Sequence, residues 1–196
     1  MPKPSLKEAI LGAGLKAMFR TGYHGTSVRD IAAAAGAPQG SFTNHFRSKE
    51  AFASEVLDRY FEHTKGLVTE ALQDAALTPR QRLRRYLDII TGKLEGDAFS
   101  RGCLIGDLSL EAPGSSEALR ERLVVIFAEW RVPFAACIAE AQASGEIASD
   151  FAPEELADFL LMSWQGAILR SKVERNGAAL ERFKKIVFQT VFKELS

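Results

Sequence analysis

Almost every long segment of this 196-residue chain repeats its apolar residues at helical spacing, and no stretch alternates convincingly with period two. That pattern predicts an all-α protein. The first helix should span Ser5 to Thr21, with Leu6, Ile10, Ala13 and Ala17 on one stripe and Gly22 ending it. Ser48 caps a longer helix, in which Phe52, Val56, Tyr60, Leu67 and Leu72 recur toward Asp74. Thr78-Pro79-Arg80-Gln81 has the form of a capping box with proline at the first helical position, opening a helix to about Leu94. A short helix is expected from Cys103 to Leu110. After Pro113-Gly114-Ser115-Ser116 the longest one carries Leu119, Leu123, Ile126, Phe127, Trp130, Phe134, Cys137 and Ile138 on one face. Pro133 lies inside it and should kink it, and Gly145 should end it. Two more helices should span Pro153 to Glu174 and Ala178 to Leu195.

Within this helical pattern, Thr26 to Glu50, TSVRDIAAAAGAPQGSFTNHFRSKE, reads as two short helices around a glycine turn. Ile31, Ala32 and Ala35 precede Gly36, which can take the left-handed conformation that ends a helix, and Pro38 is pre-set to open the next. Two such helices match a helix-turn-helix, whose second helix enters the DNA major groove. Phe42 and Phe46 are spaced to anchor that helix. Gln39, Ser41, Thr43, Asn44 and His45 remain as candidates for base or phosphate contact, with packing the competing role for His45. Thr26, Arg29 and Lys49 suit phosphate oxygens. Residues 1–47 hold six basic side chains against two acidic, a net of +4; because the chain's 25 basic and 25 acidic residues cancel, −4 remains for the rest. A basic module on an acidic body suits phosphate binding at one end. The expected organisation is a three-helix DNA-binding domain at 1–47, followed at 48–196 by an effector-binding and dimerisation domain of about six helices.

The motifs TSVRDIAAAAG, GSF, HF and SKEAF, in this order and spacing, resemble those of the TetR-family transcriptional regulators. The resemblance covers roughly residues 10–52. It implies a repressor that binds a palindromic operator in double-stranded DNA as a homodimer and is released by a small-molecule effector held in the helical body. Thr43 departs from the family, which usually has an aromatic there that touches the DNA backbone. The departure leaves a second reading, a ligand-binding interaction protein of the same fold without DNA binding.

Arg101 to Glu111, RGCLIGDLSLE, resembles the GCL-x-GNL-x-x-E segment of a TetR subgroup of repressors responsive to N-ethylmaleimide and other electrophiles, with Asp107 in place of asparagine. In that subgroup the matching cysteine can be the sensor. A helix N-terminus and nearby Arg101 would activate the Cys103 thiol, and Asp107 would oppose them. The competing role for Cys103 is that of a small buried hydrophobe, which is also the expectation for Cys137. Phe99, Phe127, Trp130, Trp164 and Gln165 are candidates, with Cys103 and Asp107, for an effector site, although aromatics at helical spacing also serve as plain core.

The last two helices are apolar over more than one stripe: Leu180, Phe183, Val187 and Val191 lie on one, and Ile186, Phe188, Phe192 and Leu195 on others. Such width predicts a four-helix interface between two copies, the alternative being a helix fully buried in a monomer. No catalytic cluster is expected, because the three histidines are scattered and neither G-x-S-x-G nor H-E-x-x-H occurs. Gly12-Ala13-Gly14-Leu15-Lys16-Ala17 fits a dinucleotide fingerprint, but in an amphipathic helix rather than after a strand. Metal, cofactor and membrane are not expected. Two cysteines without metal spacing, and no apolar leader, point to the cytoplasm.

Overall fold

A computed structural model describes residues 5–38 and 40–195, and these form nine helices and no strand. They are α1 (Leu6–Gly25), α2 (Val28–Ala34), α3 (Gly40–His45), α4 (Lys49–Leu72), α5 (Pro79–Gly96), α6 (Leu104–Glu111), α7 (Glu117–Ala143), α8 (Pro153–Glu174) and α9 (Ala178–Gln189). The chain groups into two compact units. The first joins the described residues through His63 to Leu104–Val125, and the second comprises Thr64–Cys103 and the described residues from Ile126.

The local signals produce the expected helix starts. Ser5, Ser27 and Thr78 each accept a backbone N–H with the side chain, and Thr78 with Gln81 completes the capping box. Ser48 and Ser116 do the same for α4 and α7, through Ala51 and Leu119. Gly36 ends α2 with φ 64°, and Gly145 follows α7 with φ 74°. Pro133 stays inside a single helical span.

In the first unit, Ile10, Leu11, Met18, Ile31 and Ala32 are buried with a triad of phenylalanines. The rings of Phe42 and Phe46 lie 5.0 and 4.8 Å from that of Phe52, and 5.1 Å from each other. The buried stripe of α1 is Ile10, Leu11, Gly14, Ala17 and Met18; Leu6, expected on it, is 39% exposed. A Cβ on Gly14 would collide with the Phe52 ring, so the fingerprint glycine serves close packing.

In the second unit, Leu83, Tyr86 and Leu87 of α5, Trp130 and Phe134 of α7, Leu160 and Trp164 of α8, and Leu180, Val187 and Phe192 are all buried. Tyr86 and Phe134 meet edge to face at 4.8 Å, and Trp164 lies 5.4 Å from Phe183. α8 and α9 pack together. The last helix ends at Gln189, short of the expected Leu195, and the tail beyond it is pinned where Leu195 donates its N–H to the Glu146 carbonyl. Phe188 and Phe192 face their own unit, 7% and 0% exposed, which corrects their assignment to an interface stripe. The outward apolar residues are Phe159, Met162, Leu169 and Val173 of α8 and Ile186 of α9. The four of α8 fall on the side opposite Leu160, Leu161, Trp164 and Ile168, at the spacing that makes one stripe.

Candidate functional site

The phenylalanine triad decides which side of α3 faces out. With Phe42 and Phe46 buried, Thr43, Asn44 and His45 are exposed and Ser41 is half-buried. The Thr43 hydroxyl donates back to the Gly40 carbonyl at 2.9 Å. His45 lies at the surface, its ring centre 6.2 Å from that of Phe46 in an edge-to-face arrangement. Gln39 lies outside the described residues. Arg29 is exposed on α2.

Thr26 is corrected. It is 2% exposed, and its hydroxyl donates to the Gly22 carbonyl at 2.6 Å while also meeting the Thr21 hydroxyl at 2.9 Å. A side chain at the cap of the turn is drawn into the α1–α2 corner and does not present its oxygen to a phosphate. Lys49 opens α4, with Nζ 3.5 Å from the His24 carbonyl and 4.6 Å from the centre of the Tyr23 ring. Partial burial lowers its pKa, and the Glu111 carboxylate pulls the other way. Burial and, secondarily, Glu50 raise that of Tyr23.

In the second unit, Cys103 ends the segment that precedes α6 and is buried, and Gln165 of α8 donates Nε2–H to its sulfur at 3.4 Å. Tyr86 joins this group. Its phenol is pushed up by burial and then by Cys103, against a hydrogen bond with Trp130. Trp164 is 1% exposed, and its indole N–H has no hydrogen-bond partner among the described residues. The fold therefore brings together Cys103, Gln165, Tyr86 and Trp130. Two other candidates have different surroundings. Phe127 is 39% exposed, turned off the core stripe of α7, which corrects its place on that face. Phe99, with φ 53°, is half-buried against Gly177 before α9. Asp107 is half-buried in the first turn of α6, four residues beyond Cys103. Arg101 pairs with Asp97. Tyr86 escaped the sequence reading because it occupies an ordinary apolar stripe; the available signal was a hydroxyl at a core position, which needs a partner.

A short helix with an exposed polar edge, held after a glycine turn on a three-helix aromatic core and followed by a helical body, defines a helix-turn-helix DNA-binding regulator. Residues 10–56 match the family "Bacterial regulatory proteins, tetR family", and residues 79–187 match "Tetracyclin repressor-like, C-terminal domain". The chain is 42% identical to the HTH-type transcriptional repressor DhaR of Mycobacterium sp. (strain GP1) over 97% of its own length and 94% of that protein's. It is 33% identical to the transcriptional regulator AcuR of Cereibacter sphaeroides, over 90% and 80% respectively. The structure of a regulatory protein TetR from Rhodobacter sphaeroides superposes with a TM-score of 0.90 at 31% identity, covering 95% of this chain and 98% of that one. The protein belongs to the TetR family of bacterial transcriptional regulators and carries its helix-turn-helix DNA-binding domain. Among the described residues no helix is long and apolar enough to cross a membrane.

Proposed function

We propose that the protein is a transcriptional repressor that binds a palindromic operator as a homodimer and is released when a small apolar or electrophilic molecule occupies its helical body. In this reading residues 1–47 contact DNA and 48–196 hold the effector and the dimer contact. The observation that carries it is the outward edge of α3, Thr43, Asn44 and His45, fixed by the Phe42, Phe46 and Phe52 rings. Asn44 is suited to adenine, while Arg29, Ser41 and Lys49 are suited to phosphates. The 42% identity to a named repressor supports repression over activation. The alternative, an interaction protein without DNA binding, draws on the Thr43 hydroxyl being engaged with Gly40. Incubating the protein with sheared genomic DNA and sequencing the retained fragments separates the two. Repression requires an enriched inverted repeat and a reporter silenced from it; failure to retain any fragment removes the proposal.

The effector side is tested at Cys103. Cys137 donates its thiol to the Pro79 carbonyl, and burial pushes its pKa up to about 12, so at neutral pH it is almost wholly unreactive thiol. Cys103 does not donate to a backbone carbonyl in this way: its sulfur accepts an N–H from the Gln165 amide. A maleimide or quinone is expected to modify Cys103 at least ~10-fold faster than Cys137, read by mass spectrometry. The adduct should release DNA in the wild type and not in Cys103→Ser. An unmodified Cys103, or equal release of the serine variant, leaves a reversible apolar ligand as the effector.

A further inference from the structure

The Arg101–Glu111 motif ends in a carboxylate that neither the thiol nor the aromatic group uses. In the first unit this carboxylate is seated in the α1–α2 corner. Gly22 interrupts α1 with φ 73°, and a Cβ there would collide with the Glu111 carboxylate. Two residues on, the His24 backbone donates its N–H to Glu111 Oε2 at 3.1 Å, while the His24 ring meets the Glu111 carbonyl and the Ser115 hydroxyl, each at 3.3 Å. The His24 carbonyl in turn accepts from Lys49, whose positive charge Glu111 favours. On the other side of the joint, Glu50 accepts a hydrogen bond from Ser116, the cap of α7. The end of α6 thus holds the corner that leads into α2, and the cap of α7 holds the first turn of α4.

We infer that Glu111 is a positioning residue for DNA binding: its carboxylate, in the space left by Gly22, fixes the His24 loop and through it the Lys49 ammonium. The inference rests on the DNA-binding reading of Lys49 and α3. Without the carboxylate the His24 N–H turns to water, the loop gains freedom, and Lys49 loses the fixed carbonyl that orients it. Ordering of the lysine, rather than its presence, then limits the contact.

The test uses the full chain and the genomic fragment that the wild type retains. Glu111→Ala should weaken binding roughly fivefold to tenfold, a size usual for residues that act through another. It should also lower the slope of log affinity against log salt by about one per protomer, as Lys49→Ala does, because one phosphate contact is lost. Helical circular dichroism should not change. Glu111→Gln keeps an acceptor for the His24 N–H and should recover most of the affinity. Gly22→Ala, which displaces the carboxylate from the opposite side, should behave like Glu111→Ala. In the Lys49→Ala background, Glu111→Ala should add little. The inference is overturned if Glu111→Ala binds with wild-type affinity and slope, if its penalty adds in full to that of Lys49→Ala, or if the alanine and glutamine variants both bind more tightly than the wild type. The last outcome would mean that Glu111 acts only by repelling phosphate. A wild type that retains no fragment would overturn the DNA-binding reading, and this inference with it.

Discussion

Raising the salt from 50 to 200 mM is expected to remove most of the protein's affinity for duplex DNA, by about 10³-fold if six phosphates are neutralised per dimer. The physical reason lies in the distribution of charge. The chain is neutral overall, yet residues 1–47 carry +4, so attraction to phosphate is confined to the module while the body repels it. Arg29 is exposed on α2, and Lys49 opens α4 with its ammonium at the His24 carbonyl. Lys49→Ala should weaken all sequences alike and flatten the salt slope. Asn44→Ala should leave the slope unchanged and alter which base pairs are preferred, because its amide addresses base edges and carries no charge. Fluorescence anisotropy across a salt series measures both. A slope near zero would exclude phosphate-driven binding, and an Asn44→Ala variant with unaltered preference would remove that residue from readout.

The second large effect concerns the apolar stripe of α8. Met162→Glu or Val173→Glu is expected to convert a dimer into folded monomers at micromolar concentration. Met162 and Val173 are 68% and 76% exposed in the single chain, so a carboxylate at either costs the isolated fold little. Between two copies it would be stripped of water against Phe159, Leu169 and Ile186, a cost of several kcal/mol per uncompensated ion. Phe192→Glu should behave differently. That ring is fully buried beside Phe188, and a charge there should unfold the second unit rather than separate the copies. Sedimentation with circular dichroism distinguishes the outcomes. Wild-type protein that sediments as a folded monomer, or α8 variants that remain dimeric, would place the contact elsewhere.

These two expectations draw on different amounts of the sequence. Helix starts were legible where a cap stands out, because a cap is a local event: Ser48 and Thr78 each bond an amide within three residues. Gly36 and Gly145 marked helix ends for the same reason, since a positive φ is settled by the residue that must adopt it. The outward edge of α3 followed from Phe42 and Phe46 at helical spacing. The family resemblance was legible around that stretch, over roughly residues 10–52.

Where two apolar stripes compete for one core, periodicity alone does not say which is inside. On α9, Ile186 and Phe188 read equally as interface, and only packing against the second unit buries Phe188 and leaves Ile186 outside. Phe127 failed in the same way on α7. Hydroxyls and carboxylates were harder still, since their partners lie far along the chain: Thr26 turned inward to Gly22 and Thr21, Gln165 reached the Cys103 sulfur across 62 residues, and Glu111 found the His24 amide across 87. The sequence by itself determined the succession of helices, the caps at Ser48 and Thr78 and the exposed edge of α3, because each depends on neighbours within a turn or two. Tertiary structure alone decided which apolar faces are buried and which distant polar groups meet, because those follow from the close approach of segments whose spacing no local pattern encodes.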